Sequence, residues 1–233
     1  EMHNILDIHL TEKLMEDNDQ LARHNREHFD EEKIVAINFM SAPGAGKTTL
    51  IIELIKALKE RQKDISCAVV EGDMVGDLDT KRMVQAGIKA FQISTGKACH
   101  LDASMLARLL HQESLENTDI LFLENVGNLV CPAEFALGEH FNVVLLSVSE
   151  GDDKPFKYPI IFQKCDAVVL TKCDLLPYVD FKVERAKGFI KELNPKAQIF
   201  EVSIAARKEN AGQSDQLDDL VSWLGTSVKS VSR

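Results

Sequence analysis

The sequence predicts an α/β fold with a mainly parallel central sheet of about seven strands and helices on both faces. Two observations carry that expectation. Short continuous apolar runs recur along the 233-residue chain, and stretches with helical spacing separate most of them. In addition, a glycine-rich turn, Ser41 to Thr49, joins the first apolar run to the first long helical stretch.

In chain order, the stretch from Ile5 to Phe29 is polar, with apolar residues at helical spacing (Leu10, Leu14, Leu21). It reads as one or two amphipathic helices in a solvated N-terminal arm over residues 1–30. The arm's His3, His9, His24 and His28 are scattered and have no Cys among them, which argues against a metal-binding tail. The pattern then changes. Ile34–Met40 is the first strand, and Lys47–Glu60 the helix that follows its turn. Further strands are expected at Cys67–Val70, Ala90–Ile93, Ile120–Leu123, Val143–Val148, Ala167–Leu170 and Ile199–Val202. Residues 31–224 therefore form one domain, and residues 225–233, rich in Ser, Val and Lys, read as a flexible tail.

Composition sets the outer bounds. With 45% hydrophobic residues the chain has enough apolar material for a core. No run reaches the length needed to cross a bilayer, so no membrane partner is expected. The net charge of −10 argues against a general affinity for nucleic acid. Five cysteines, an odd number in a chain too large to need disulfide staples, fit reduced thiols in the cytoplasm. The start at Glu1-Met2 lacks a secretory charged region, apolar segment and cleavage site; it reads as a cut start that leaves room for upstream residues.

Ser41-Ala42-Pro43-Gly44-Ala45-Gly46-Lys47-Thr48-Thr49, between strand and helix, reads as a P-loop, with Ser41 where the first glycine usually stands. Backbone N–H groups of Gly44 to Thr49 would converge on phosphate oxygens. Lys47 would reach the β and γ phosphates, and the Thr48 hydroxyl would ligate Mg²⁺. Two carboxylates at strand ends extend the site. Glu124 closes the run Ile120–Leu123 and precedes Asn125-Val126-Gly127, the place of the second acidic motif and its switch glycine. Asp73 closes the run after Cys67, in Glu71-Gly72-Asp73, with Asp77 and Asp79 close behind. Asp73 and Glu124 are assigned to Mg²⁺, and Asp77 to positioning the attacking water; Lys47, Asp77 and Glu124 form the catalytic set.

The base is read further along. Thr171-Lys172-Cys173-Asp174 ends a strand and resembles the guanine motif Asn-Lys-x-Asp. A carboxylate at Asp174 accepts from both N1–H and the 2-amino group of guanine; adenine offers neither donor and would leave it unpaired. The Lys172 stem would cover the base, and a backbone N–H in Ser203-Ile204-Ala205 would reach O6. GTP and GDP are thus favoured over ATP. A small-molecule kinase built on the same loop is the rival enzyme reading, and a regulatory scaffold without useful turnover is the other.

Cys99-His100, ahead of a helical stretch from Leu101 to Leu110, and Cys131-Pro132, just past Gly127, form a second constellation. Two readings stay open on the residues alone: ligands for Ni²⁺, Zn²⁺ or Cu²⁺, or cysteines that only pack. As ligands, the set is one short of four, and a two-fold dimer would meet the count. Cys67, Cys165 and Cys173 read as structural, and His111 and His140 as surface residues without partners.

Taken together, Ser-Ala-Pro-Gly-Ala-Gly-Lys-Thr, Glu-Gly-Asp, Gly-Lys-Ala-Cys-His-Leu-Asp, Glu-Asn-Val-Gly-Asn-Leu-Val-Cys-Pro and Thr-Lys-Cys-Asp resemble the hydrogenase nickel-incorporation GTPases, the HypB family, from about Asn38 to Ser203. The related urease accessory GTPases carry Cys-Pro-His at the second place; here Ala133 follows Pro132, and His100 sits beside Cys99. The resemblance implies a slow GTPase that dimerises on binding GTP and holds Ni²⁺ or Zn²⁺ through Cys99, His100 and Cys131. It would deliver nickel to the hydrogenase large subunit together with a second accessory protein. It also implies that Lys154 or Lys157 reaches the partner's nucleotide and that Leu175 packs at the dimer contact. The Cys-rich or His-rich N-terminal stretch of some members does not occur in this sequence.

Overall fold

The computed structural model describes residues 2–74, 76–208 and 215–231, with side chains described from residue 12 to 206, apart from residue 75, and from 215 to 231. Its centre is a seven-stranded sheet of order β3-β2-β4-β1-β5-β6-β7. The strands are β1 (Val35–Ser41), β2 (Cys67–Asp73), β3 (Lys89–Ser94), β4 (Ile120–Glu124), β5 (Phe141–Ser147), β6 (Ala167–Thr171) and β7 (Gln198–Glu201). Every pairing is parallel. The apolar runs behave as expected of strands buried on both faces, because helical crossovers cover each side.

Side-chain alternation sorts the core. Val35, Ile37 and Phe39 of β1 face one layer, formed by α2 (Lys47–Arg61), Met83 of α3 (Leu78–Gln85) and α9 (Leu217–Val231). Ala36 faces α1 (Met2–Glu32) and α4 (Ala103–Gln112), packing with Phe29, Leu106 and Leu109. Met40, on the same face, joins a separate cluster with α6 (Pro159–Lys164) and α7 (Val183–Leu193). Two short helices, α5 (Lys154–Lys157) and α8 (Ile204–Lys208), complete the described elements, together with 3-10 turns at Cys131–Ala133 and Cys173–Tyr178.

Three expectations need correction. The N-terminal segment, one helix of the one or two expected, is not a solvated arm but lies on the body: Asn18, Ala22, Asn25 and Phe29 recur at spacings of four, three and four, and all four are buried. Burial of that stripe outweighs the polar appearance of the sequence. Secondly, residues 225–231 do not form a loose tail but continue α9, where Val228 and Val231 pack against the core; residues 232 and 233 lie outside those described. Lastly, His140 is neither exposed nor unpartnered. Its Nδ1 accepts from Ala36 N at 3.0 Å, and its Nε2 lies 2.9 Å from Asp30 Oδ1. His24 and His111 are exposed as expected; the side chains of His3 and His9 fall outside the described ones.

Candidate functional site

All seven strands are parallel, so their carboxyl ends share one edge of the sheet, the edge at which open α/β sheets bind ligands. The phosphate loop leaves β1 there. Gly46, with φ of 94°, stands at the N-cap of α2 in a left-handed conformation that directs the following N–H groups toward a phosphate. Lys47 and Thr48 open α2, and both are buried. Lys47 Nζ donates to Ser41 Oγ at 3.0 Å, so the serine that replaces the usual glycine supports the lysine. Burial lowers the Lys47 pKa, against the pull of Glu124, Asp79, Glu150 and Glu71.

Glu124 ends β4 beside this lysine. Its Oε1 accepts from the Thr48 hydroxyl at 2.8 Å, while Oε2 is buried without a hydrogen-bond partner. Burial pushes its pKa up to about 7, although Lys47 and Thr48 oppose the shift. A buried carboxylate oxygen with no donor, next to a threonine hydroxyl, is a hard-oxygen arrangement that fits Mg²⁺. Glu71 stands directly beside Glu124 in register across β2 and β4, is buried, and accepts from the Thr80 hydroxyl. Burial raises its pKa as well. The sequence points to Asp73 for Mg²⁺ and not to Glu71. Asp73 is only partly buried and accepts from Met74 N. Asp77, at the N-terminus of α3, pairs with Lys81 at 2.7 Å and is about half exposed. Asp79 adds to the negative charge felt by Lys47 and Glu124.

A cavity of about 360 Å³ adjoins the loop. It is lined by Gly46 and Thr49 on one side and by Thr171, Lys172, Asp174, Ile204 and Ala205 on the other, which brings the expected base-binding residues together. Thr171 Oγ1 donates to Ala45 O and Lys172 Nζ to Gly44 O, both at 2.7 Å, so the base motif also holds the phosphate loop. Ser203 donates its hydroxyl to Asp174 and fixes the carboxylate. Leu175 lines the same cavity. Lys154 lies over the Tyr158 ring, and Lys157 pairs with Asp153 at 2.6 Å.

The second constellation also assembles. One donor atom from each of Cys99, His100 and Cys131 falls within 4.8 Å of the others. Cys99 Sγ donates to Cys131 Sγ at 3.1 Å, and that bond, with burial, raises the Cys131 pKa. Burial lowers the His100 pKa, and the ring stacks on Phe135 with centroids 4.0 Å apart. The backbone explains the arrangement. Cys99 and His100 occupy the bend before α4, whose first turn is capped by Asp102 accepting from Met105 N. Cys131 begins the 3-10 turn after β4, and Asn128 donates to Cys99 O across the gap. Thiolate and imidazole form a soft set suited to Ni²⁺ or Zn²⁺ and ill suited to Mg²⁺. Cys67 and Cys165, by contrast, are buried thiols pushed up to about 12, and Cys173 to about 11, which fits packing roles.

Asn125 links the two sites and was not singled out from the sequence. Its Oδ1 accepts from Leu101 N and Val126 N, each at 3.0 Å, and its Nδ2 donates to Asn38 Oδ1 at 3.2 Å. Asn38 in turn donates to Asn142 at 3.0 Å. The residue after Glu124 thereby holds the residue after His100.

Comparison with known proteins agrees with this geometry. The profile of the CobW/HypB/UreG nucleotide-binding domain matches residues 35–201. The hydrogenase maturation factor HypB of Escherichia coli strain K12 is 43% identical over 213 residues, which cover 91% of this chain and 70% of that protein. The hydrogenase/urease maturation factor HypB of Helicobacter pylori strain J99 is 44% identical over 201 residues, covering 84% and 81%. The crystal structure of HypB from Helicobacter pylori in complex with nickel matches with a TM-score of 0.82 at 39% identity, covering 93% of this chain and 97% of that one. Among the described residues, no helix is long and apolar enough to cross a membrane. The chain belongs to the CobW/HypB/UreG family, in its HypB group.

Proposed function

We propose that this protein is a cytoplasmic GTP hydrolase whose GTP-bound form pairs two protomers and whose turnover drives delivery of nickel into nickel–iron hydrogenase during that enzyme's maturation. The observation that carries the reading is the Cys99, His100 and Cys131 set at the same edge of the sheet as the phosphate loop, joined to β4 through Asn125. Its partners are a second copy of the chain, the hydrogenase large subunit and a second nickel-insertion accessory protein. The Helicobacter pylori relative, a hydrogenase/urease maturation factor, gives the second reading, service to urease as well.

Each residue has a defined part in hydrolysis. N–H groups of Gly44 to Thr49 and the Lys47 ammonium bind the β and γ phosphates. Asp174 and the Ser203-Ile204-Ala205 segment take guanine, with Thr171 and Lys172 holding the loop beneath it. Thr48, Glu124 and Asp73 would hold Mg²⁺, which would neutralise phosphate charge. Asp77 orients a water that adds to the γ phosphorus while the bond to the β–γ bridging oxygen breaks, leaving GDP and phosphate. Nickel is cargo: Cys99, His100 and Cys131 of two protomers hold it, and loss of the γ phosphate releases the Asn125–Gly127 segment that positions them. Phe156 and Tyr178, 71% and 83% exposed near Lys157 and Leu175 in the chain, supply apolar surface for the dimer.

The test is a Ni²⁺ and Zn²⁺ titration of the protein with GDP and with a non-hydrolysable GTP analogue, following mass in solution. A dimer with the analogue, carrying a thiolate-to-nickel charge-transfer band that Cys131→Ala abolishes, is expected. Guanine nucleotide binding with the same nickel affinity in both states would sink the coupling.

A further inference from the structure

The metal ligands come from two segments distant in sequence, and the structure shows what holds those segments together. Asn18 of α1 accepts from Ala103 N and donates to Ala136 O, both at 2.9 Å. Asn25, two helical turns further on the same face, donates to Ala103 O and to Leu137 O, both at 3.0 Å. Ala103 lies three residues after His100; Ala136 and Leu137 follow Cys131 by five and six. Each asparagine therefore bridges the Cys99-His100 segment to the Cys131 segment. Phe135, on which the His100 ring stacks, is the residue before Ala136. Both asparagines are buried, at 7% and 1% exposure, so water does not replace these bonds.

More contacts fix the same loop to α1. Arg26 donates to Gly138 O at 2.7 Å and also to Glu139 O. Gly138 passes so close that a Cβ there would meet Ala22 O at 2.6 Å. None of these α1 groups touches the nucleotide loop or the base cavity. They act only on the relative position of the two ligand-bearing segments.

We propose that α1 is a clasp that sets the geometry of the Cys99, His100 and Cys131 site, with Asn18 and Asn25 as its positioning residues. Nickel affinity is then adjustable from α1, by anything that binds or displaces this helix, without change at the nucleotide site. The inference rests on the reading of these three residues as nickel ligands. Groups that orient metal ligands affect affinity by roughly 10–100-fold when removed, although they never touch the ion.

The experiment compares the whole protein with Asn18→Ala, Asn18→Asp, Asn25→Ala and Cys131→Ala, titrated with Ni²⁺ alone at fixed GDP. Nickel dissociation constant, charge-transfer spectrum and GDP affinity are read for each. Asn18→Ala and Asn25→Ala are expected to weaken nickel by about tenfold or more and to shift the band, with GDP affinity unchanged. Asn18→Asp keeps the acceptor for Ala103 N and is expected to recover part of the affinity. A Val221→Ala control, in the cluster beneath α9 that holds neither ligand-bearing segment, accounts for lost stability as such. Unaltered nickel affinity and spectrum in Asn18→Asp and in either alanine variant that folds would overturn the clasp. If Cys131→Ala also binds nickel as the parent does, the ligand assignment itself has failed. Loss in Cys131→Ala with no change in the asparagine variants removes the clasp alone.

Discussion

Asn125→Ala is the perturbation that separates the two sites most cleanly. The amide satisfies Leu101 N–H and Asn38 Oδ1, and both residues are fully buried. Alanine leaves each group without its partner. A buried polar group left unpaired costs about 1–3 kcal/mol, so the variant is expected to lose about 4 kcal/mol. In a domain of this size that lowers the melting temperature by roughly 8–16 °C. Asn125→Asp is the finer probe. It keeps the acceptor for Leu101 and Val126 but sets an oxygen against Asn38 Oδ1. Asn38 and then Asn142 can turn their amides over in response, yet Asn142 bonds the Glu139 carboxylate, so the reversed ladder ends with two acceptors face to face. Both variants are expected to reduce the ratio of nickel affinities with GDP and with a GTP analogue from on the order of tenfold toward unity. Thermal unfolding of the nucleotide-free protein and paired nickel titrations measure the two effects. An Asn125→Ala protein that melts within about 2 °C of the parent and keeps its nucleotide-dependent nickel affinity refutes the reasoning.

Other variants test the remaining geometry. Asp174→Asn is expected to weaken GTP and favour xanthine nucleotides, since the amide offers a donor to the xanthine carbonyl; nucleotide competition reads the preference directly. His140→Gln addresses pH. Ala36 N donates to Nδ1, so only neutral His140 keeps both its bonds. Burial lowers its pKa below the ordinary 6.5. Below that value the unfolded chain binds a proton that the folded chain resists, so this stability is complete above about pH 6.5 and is lost as pH falls. The variant is expected to flatten that part of the stability–pH curve below about pH 6.5; an unchanged slope in chemical denaturation would exclude His140 as the source. Gly138→Ala places a Cβ against the α1 backbone at a φ of 99° and is expected to cost at least about 2 kcal/mol, read by denaturation, while sparing GDP affinity.

The sheet was legible because each strand is a short apolar run that helices must cover on both faces. Every expected run falls on a strand, with ends displaced by only a few residues. The residues assigned to the nucleotide were legible as a group because they follow strand ends, and the parallel sheet brings those ends to one edge. Cys99, His100 and Cys131 could be singled out as residues, but their proximity could not: it depends on the bend before α4 and on the turn after β4. Glu71 carries the same signal as Glu124, a carboxylate after an apolar run, but Asp73 follows it by two residues, and only the β2–β4 register sets Glu71 beside Glu124. The docking of α1 was hidden for another reason. Half of its buried stripe is asparagine, Asn18 and Asn25, which reads as solvent-facing until their backbone partners in the distant segments around Ala103 and Leu137 are known.

On the proposed function two dications share this edge of the sheet, and their ligands differ in kind. Thr48 and Glu124 offer only oxygen, which suits Mg²⁺; seven residues beyond Glu124, Cys131 and its partners offer sulfur and imidazole, which Mg²⁺ binds poorly. Millimolar Mg²⁺ is therefore expected not to displace nickel from the Cys–His–Cys set, whereas Zn²⁺ is expected to compete. The short span between the ligand types lets one backbone segment, Glu124 to Cys131, answer to both ions. A change at the phosphate can then reach the thiols through Asn125 and Asn128 alone, without rearranging the core, because Asn125 fixes Leu101 and Asn128 fixes Cys99. The α1 contacts hold the same two ligand-bearing segments, through Ala103, Ala136 and Leu137. On that reading nickel geometry is set from two places, Asn125 with Asn128 and α1, and a nucleotide-driven shift at the first works against the support at the second.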